Sequence, residues 1–344
     1  MLTQRVRIIR SGVMLAFIVV VFALLIISRI RAYSLAPTLQ PLDLQQFPLW
    51  LIPIAYIWDY FSHAWICLLF AFTTAGLLYE FLPKDVIVKR MGSSKASGYI
   101  LASLVAPFFT VCSCTMIPLF AGIMYAGAGI GPAIAFLLMA PAANIMTILI
   151  TGEILSWDIA IVRIIAALIT SISAGLIVAY SRWGKSIEQE NSISKQPSAT
   201  FDLVNPPLDE RLWHSFKFGA ELARRIIPLF LLGLIAVSYL EAYMPQEIVA
   251  TYLTGVGGVI LASVLGGPLY TPTLVEIVLA RALIDLGMSK GATLSWLMGQ
   301  PYDIPNMVAA SRIVKWKVVL LYAVIALTFS IASGLVYGVL VGNI

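Results

Sequence analysis

"GYILASLVAP", residues 98–107, returns as "GVILASVLGG", residues 258–267, with five identities in the first six positions. A match at so wide a spacing marks an internal repeat, and an internal repeat constrains the whole architecture before any single segment is assigned. At the same spacing Gly127 meets Gly287, Gly131 meets Gly291, Leu137 meets Leu297 and Pro141 meets Pro301. Shifted by one position, Glu80 meets Glu241, and Trp157 and Gly175 meet Trp316 and Gly334. Each copy reads as a hydrophobic helix (about Ser62 to Tyr79; Leu222 to Leu240), a short amphipathic stretch after a proline, two apolar segments punctuated by Gly and Pro, and a final helix (Trp157 to Ala179; Trp316 to Leu340).

The medium for this repeat is lipid. Of 344 residues, 60% are hydrophobic and 11% charged, whereas a soluble domain carries about 25% charged residues. Mean hydropathy is +0.94. Ahead of the first copy, Arg5, Arg7 and Arg10 precede an uncharged run from Ser11 to Ser28, close to the ~20 residues that span a bilayer. Without a small-residue cleavage site it reads as a transmembrane helix within 1–33 rather than a signal peptide. Repeat one then occupies 48–180 and repeat two 212–344. Residues 181–211, rich in Ser, Pro, Asn and Gln and without periodicity, are expected to be a cytoplasmic linker. The net charge of +5 sits mostly in loops, so it reports topology and not a nucleic-acid partner.

Positive charge also orients the copies. Lys84, Lys89, Arg90 and Lys95 follow the first helix of repeat one, whereas "MPQEIVATYLTGVGG", residues 244–258, carries none. In repeat two, Arg211, Lys217, Arg224 and Arg225 come at the other end of that helix. Both sets should be cytoplasmic, so equivalent helices should cross in opposite directions. Inversion needs an odd number of crossings per copy, yet each copy has four apolar segments, so one should not cross. The expected non-crosser is a re-entrant hairpin centred on "PFFTVCSCTMIP", residues 107–118, with its tip near Cys112 to Thr115 and a counterpart tip near residues 266–273. A proline-kinked spanning helix is the alternative. The expected fold is an all-α polytopic membrane protein: two inverted structural repeats with broken or re-entrant helices, plus one extra N-terminal transmembrane helix.

Interrupted helices concentrate chemistry, because non-helical backbone at membrane depth is tolerated only inside protein or beside an aqueous cavity. On a helix Cys112 and Cys114 would diverge; in an extended turn residues two apart face the same side. Two convergent thiolates suit soft metals and metalloids, although a free Cys is also a common buried hydrophobe. Cys67, among apolar neighbours, reads as packing. The second segments, "LLMAPAANIMT" and "LMGQPYDIPNM", add Pro141, Asn144, Gln300, Asp303 and Asn306; the second hairpin adds Thr271, Thr273 and Glu276. A carboxylate within an apolar span is a functional-site candidate, so Asp303 and Glu276 are candidates for proton coupling. Asp303 could equally cap the half-helix after the break. Arg281 and Asp285 stand one turn apart as a structural ion pair. Arg163, six residues into its helix, is expected to snorkel to the interface.

The segment "FFTVCSCTMIPLFAGIMYAGAGIGPAIAFLLMAPAANIMT", with its Cys-Ser-Cys, glycine-rich turn and Pro-x-x-Asn, resembles the ArsP/YraQ-type predicted permeases, and the resemblance extends over about Ser62 to Leu340. It implies export of a trivalent organoarsenical such as methylarsenite, with Cys112 and Cys114 as metalloid ligands and Pro141 and Asn144 in the same cavity. Without a phosphate loop, zinc helix or nucleophile elbow, no enzyme activity and no cofactor is expected. The expected partners are a small-molecule substrate and the lipid bilayer of the inner (plasma) membrane, with homo-oligomerisation left open. A membrane thiol–disulfide oxidoreductase working through Cys112 and Cys114 is the alternative.

Overall fold

A computed structural model describes residues 2–35, 44–82, 84–109, 113–194, 207–243, 252–267 and 273–344; among them every regular element is helical. Helix α1 (Leu2–Leu35) precedes unit one: α2 (Ile52–Phe81), α3 (Lys84–Arg90), α4 (Ala96–Phe109), α5 (Ser113–Ala126), α6 (Ile130–Ala142), α7 (Ile145–Ile154) and α8 (Trp157–Tyr180). After α9 (Arg182–Ser194), unit two repeats the order: α10 (Leu208–Ala242), α11 (Gly255–Gly266), α12 (Thr273–Asp285), α13 (Lys290–Leu297), a 3-10 turn (Gln300–Tyr302), α14 (Ile304–Ala310) and α15 (Trp316–Val341). Among the described residues, five stretches are long and apolar enough to cross a bilayer: Arg10–Ser28, Ala64–Phe81, Ile130–Ile154, Trp157–Tyr180 and Trp316–Val341. The protein is an all-α, multi-pass membrane protein.

Helices α4 and α5 leave from and return to one level. Gly129 N–H donates to Met91 O (2.8 Å), and Gly131 N–H to Ser93 Oγ (3.2 Å), which ties the far end of α5 to the start of α4. In unit two, Ser289 N–H donates to Leu253 O (3.0 Å) and ties α12 to α11 in the same way. Each leg of the first hairpin has 14 residues, about 21 Å at 1.5 Å per residue and short of a ~30 Å hydrocarbon core. The tips, residues 110–112 and 268–272, lie outside the described residues. Both returning legs end on the same cap, with Gly127 at φ 111° and Gly287 at φ 113°. Ala128 N–H reaches Ile123 O and Met288 N–H reaches Leu283 O, the pattern that closes a helix on a left-handed glycine.

The final helix of each unit packs on its neighbours through small residues. A Cβ on Gly175 would lie 2.6 Å from Gly131 O, and one on Gly334 2.7 Å from Gly291 O. Ser103 and Ser171 hydroxyls stand 3.2 Å apart, and Ser263 and Ser330 2.8 Å apart. These are the same four places in each copy, so the repeat extends to packing geometry, as close backbone approach through small residues in membranes requires.

Corresponding helices of the two units lie side by side and run in opposite directions. Between α2 and α10, Glu80 pairs with Arg211 (3.7 Å), a Cβ on Gly76 would strike Ser215 O, one on Gly219 would strike Phe72 O, and Tyr60 meets Phe230 (5.6 Å). Between α8 and α15, Asp158 receives the Tyr337 hydroxyl at one end, while Lys315 pairs with Glu190, beyond α8, at the other. Helix α1 rests on the outside, with Phe17 against Phe216 and Phe22 against Phe70.

Two expectations need correction. Helices α2 and α10 run well beyond the apolar stretches at 62–79 and 222–240, because each extension packs on the body of the partner helix: Tyr60 meets Phe230, and Arg211, Ser215 and Gly219 meet Glu80, Gly76 and Phe72. The 181–211 segment is not linker throughout: α9 occupies Arg182–Ser194 and α10 already begins at Leu208. Within α9, Ile187 is buried, so one apolar residue per few turns docks an otherwise hydrophilic helix.

The glycine crossings make a direct prediction. Gly175→Val or Gly334→Val should each cost about 1–3 kcal/mol through overpacking and lower the thermal midpoint of the purified protein. Gly257→Ala, where a Cβ meets nothing within 4 Å, should leave it unchanged.

Candidate functional site

The helix breaks in the two units have the same design. In unit one the Asn144 side chain caps α7, accepting the Thr147 N–H at 2.9 Å. In unit two Asp303 caps α14, accepting the Asn306 N–H at 2.8 Å, while Asn306 Nδ2 donates to its other oxygen at 2.6 Å. Asp303 therefore occupies the place of Asn144, and its capping role is fulfilled. Pro305, in the first turn of α14, has no N–H to leave unsatisfied there. Pro141 closes α6 and Gln300 opens the 3-10 turn; both are buried.

A break also leaves carbonyls at the end of the preceding helix without partners. Arg163 supplies them. Its Nε donates to Ala142 O (2.7 Å), the last residue of α6, and its Nη2 to Leu297 O (3.1 Å), the last residue of α13. Nη1 donates to Thr151 Oγ1 (3.2 Å) on α7, and Nη2 lies 3.5 Å from Glu276 Oε2 on α12. Both charged side chains are out of solvent, at 0% and 2% exposure. A cation at two helix C-termini and beside a carboxylate is favourably placed on every side. Gln300 is a further hydrogen-bond partner of Glu276. One guanidinium thus joins the broken ends of both units and the second hairpin.

This overturns the snorkelling expectation for Arg163. The signal was in the sequence: Ala160, Arg163, Ala167, Ser171, Ala174 and Val178 fall on one helical face, and that face is buried. Sequence reading also missed Tyr322, which holds in α15 the place of Arg163 in α8; it is fully buried and within electrostatic reach of Asp303. Four buried polar atoms here, Asn144 Nδ2, Thr147 Oγ1, Asn306 Oδ1 and Tyr322 OH, have no hydrogen-bond partner among the described residues. Orphans of this kind mark capacity for a solute or water.

Of the other candidates, Cys112 and Thr271 lie outside the described residues. Cys114 is the second residue of α5 and Thr273 the first of α12, with side chains outside the description. Thr115, the next residue, is buried. Cys67 is buried in α2, as a packing residue would be, and Arg281 pairs with Asp285 at 2.9 Å on the surface. Among the described residues no three His, Cys, Asp or Glu side chains cluster as a metal site.

Residues 54–339 match the ArsP_1 family, described as predicted permease. The chain belongs to that family. The permease is 28% identical over 334 residues to the UPF0718 protein MJ0584 of Methanocaldococcus jannaschii, covering 80% of this chain and 92% of that one. It is 22% identical over 293 residues to the UPF0718 protein YraQ of Escherichia coli, covering 83% and 81% respectively. No solved structure matches the permease. Family and fold together make it a membrane transporter, acting on a small molecule across the bilayer in which it sits.

The Arg163 cluster predicts a non-additive pair of variants of the permease. Arg163→Gln strands Glu276 without its counter-charge and should cost about 3–5 kcal/mol, whereas adding Glu276→Gln removes both charges and should recover more than half. Thermal unfolding of the single and double variants checks this.

Proposed function

We propose that this permease is a secondary-active exporter of a small, soft, thiol-reactive solute of the trivalent organoarsenical type, working in the inner (plasma) membrane by alternating access between two inverted units. The observation that carries the reading is the meeting of both broken helices, from antiparallel units, on one buried polar cluster with unspent hydrogen-bonding capacity. Discontinuous helices at the interface of repeats are where transporters hold their substrates.

Unequal packing of equivalent faces supports alternation. On α2, Ala64, Leu68, Ala71 and Ala75 are buried, and a Cβ on Gly122 of α5 would lie 3.3 Å from that of Ala75. The matching residues of α10, at the register set by Glu80 and Glu241, are Arg225, Leu229, Leu232 and Ala236; all but Leu229 are exposed, as is Ala282, the counterpart of Gly122. Two copies of one design held in unlike positions are what a transporter closed on one side requires. By the positive-inside rule the closed side, where α5 lies on α2, is cytoplasmic.

In this reading the solute is held by Cys112 and Cys114 at the first hairpin tip, with Pro141, Asn144, Thr271, Thr273, Gln300 and Asn306 around it, and thiol exchange lets it bind and leave. Glu276 is the better placed of the two proton-coupling candidates, since both oxygens of Asp303 are engaged by Asn306. Redox relay is the weaker reading because the second hairpin has Pro272 and Leu274 where the first has its thiols.

Everted membrane vesicles test the proposal. The parent chain should accumulate methylarsenite; Cys112→Ser and Cys114→Ser should each reduce uptake by about tenfold or more, as loss of one soft ligand implies. Uptake unchanged in both variants would sink the thiol-ligand role.

A further inference from the structure

We propose that Arg225 is a second counter-ion for Glu276, which passes from Arg163 to Arg225 when the permease turns to its opposite-facing state. The proposal rests on the alternating-access reading and adds to it the landing surface of α12 and the residue that receives its charge.

The contacts along α2 and α10 bring Ile226 opposite Trp65, and at the Glu80–Glu241 register these two positions are counterparts. Corresponding residues therefore meet midway along the helix pair. Arg225 sits at that midpoint, 14 residues from Arg211 at the end of the span, which is about 21 Å at 1.5 Å per residue. It is exposed and finds no partner among the described residues. This corrects the expectation that Arg224 and Arg225 are cytoplasmic with Arg211 and Lys217: they lie midway along the helix pair, where an unpaired arginine is expensive and marks function.

The face that holds it has an occupant in the other unit. Positions 64, 68, 71 and 75 of α2 form one buried face, on which α5 lies at Ala75, and the matching positions 225, 232 and 236 of α10 are exposed. The counterpart of α5 is α12, so α12 is the element shaped to cover them. Its small residue Ala282 stands where Gly122 does, and Ala236 stands where Ala75 does. Laid on α10 as α5 lies on α2, with Ala282 over Ala236, α12 brings Glu276, the counterpart of Met116, to the level of Phe230, about 7.5 Å along the axis from Arg225, a gap that an extended guanidinium and carboxylate span together. The carboxylate must leave Arg163 to travel with α12, and Arg225 lies within reach of where it arrives. Arg224, one residue away, points about 100° from that face and has no such role.

Oxidative cross-linking in native membranes tests this, in a chain with Cys67→Ala, Cys112→Ser and Cys114→Ser. The pair Ala75→Cys with Gly122→Cys reports the present packing, and the pair Ala236→Cys with Ala282→Cys reports the opposite one; cross-linked peptides are quantified by mass spectrometry. Both pairs should form in their own chains. Arg225→Gln should lower the 236–282 yield about tenfold while sparing the 75–122 yield, a population shift of the size one ion pair supplies. Adding Glu276→Gln should restore it, and Arg224→Gln should change nothing. Absence of the 236–282 product, or a yield indifferent to Arg225→Gln, overturns the proposal; retention of the 75–122 product shows that each variant is folded. Methylarsenite transport is read separately, so loss of the thiol-ligand role and loss of this charge exchange are distinguishable.

Discussion

A polypeptide in lipid must satisfy its own backbone, and every break in a helix violates that requirement until something answers it. In this protein the answer is one side chain. Arg163 takes the last carbonyl of α6 and the last carbonyl of α13, and Glu276 balances the charge it brings. The amide ends of the same breaks are met by Asn144 and Asp303, each capping the half-helix that follows. Remove the guanidinium and the interruptions that distinguish this fold from a plain bundle lose their cover.

Symmetry is used unevenly. The framework is duplicated closely, down to the glycine crossings, the paired serines and the left-handed caps. The chemistry is not: Asn144 faces Asp303 across the repeat, Arg163 faces Tyr322, and Met116 faces Glu276. Packing residues reappear because both copies must solve the same close approach between helices. Polar residues diverge because the two copies share one interior, and two arginines or two carboxylates at its centre would repel rather than complete each other.

Much of the architecture could be read from the chain. The repeat, the starts of α8 and α15 and the extra N-terminal helix follow from identities and hydropathy alone. Arg163 was misjudged because distance from a helix end was weighed and the helical face was not; its stripe of alanine and serine neighbours pointed inward. Tyr322 and Thr147 carry no signal until the repeat is aligned residue by residue and their lack of partners is seen. The polar segment after α8 hid a helix because its low overall hydrophobicity masked an amphipathic pattern, whose buried face is marked by Ile187.

The placement of Arg163 has a consequence for how the chain is made. Synthesis delivers unit one first, and α8 enters the membrane before Leu297 and Glu276 have been joined to the polypeptide. During that interval a guanidinium sits in the bilayer with Ala142 and Thr151 at hand but without Leu297 or the carboxylate that balances its charge. The first half is thus a dependent intermediate, held until the second half arrives to neutralise it, and biogenesis of this protein is cooperative across a duplication that on sequence alone looks like two self-sufficient pieces.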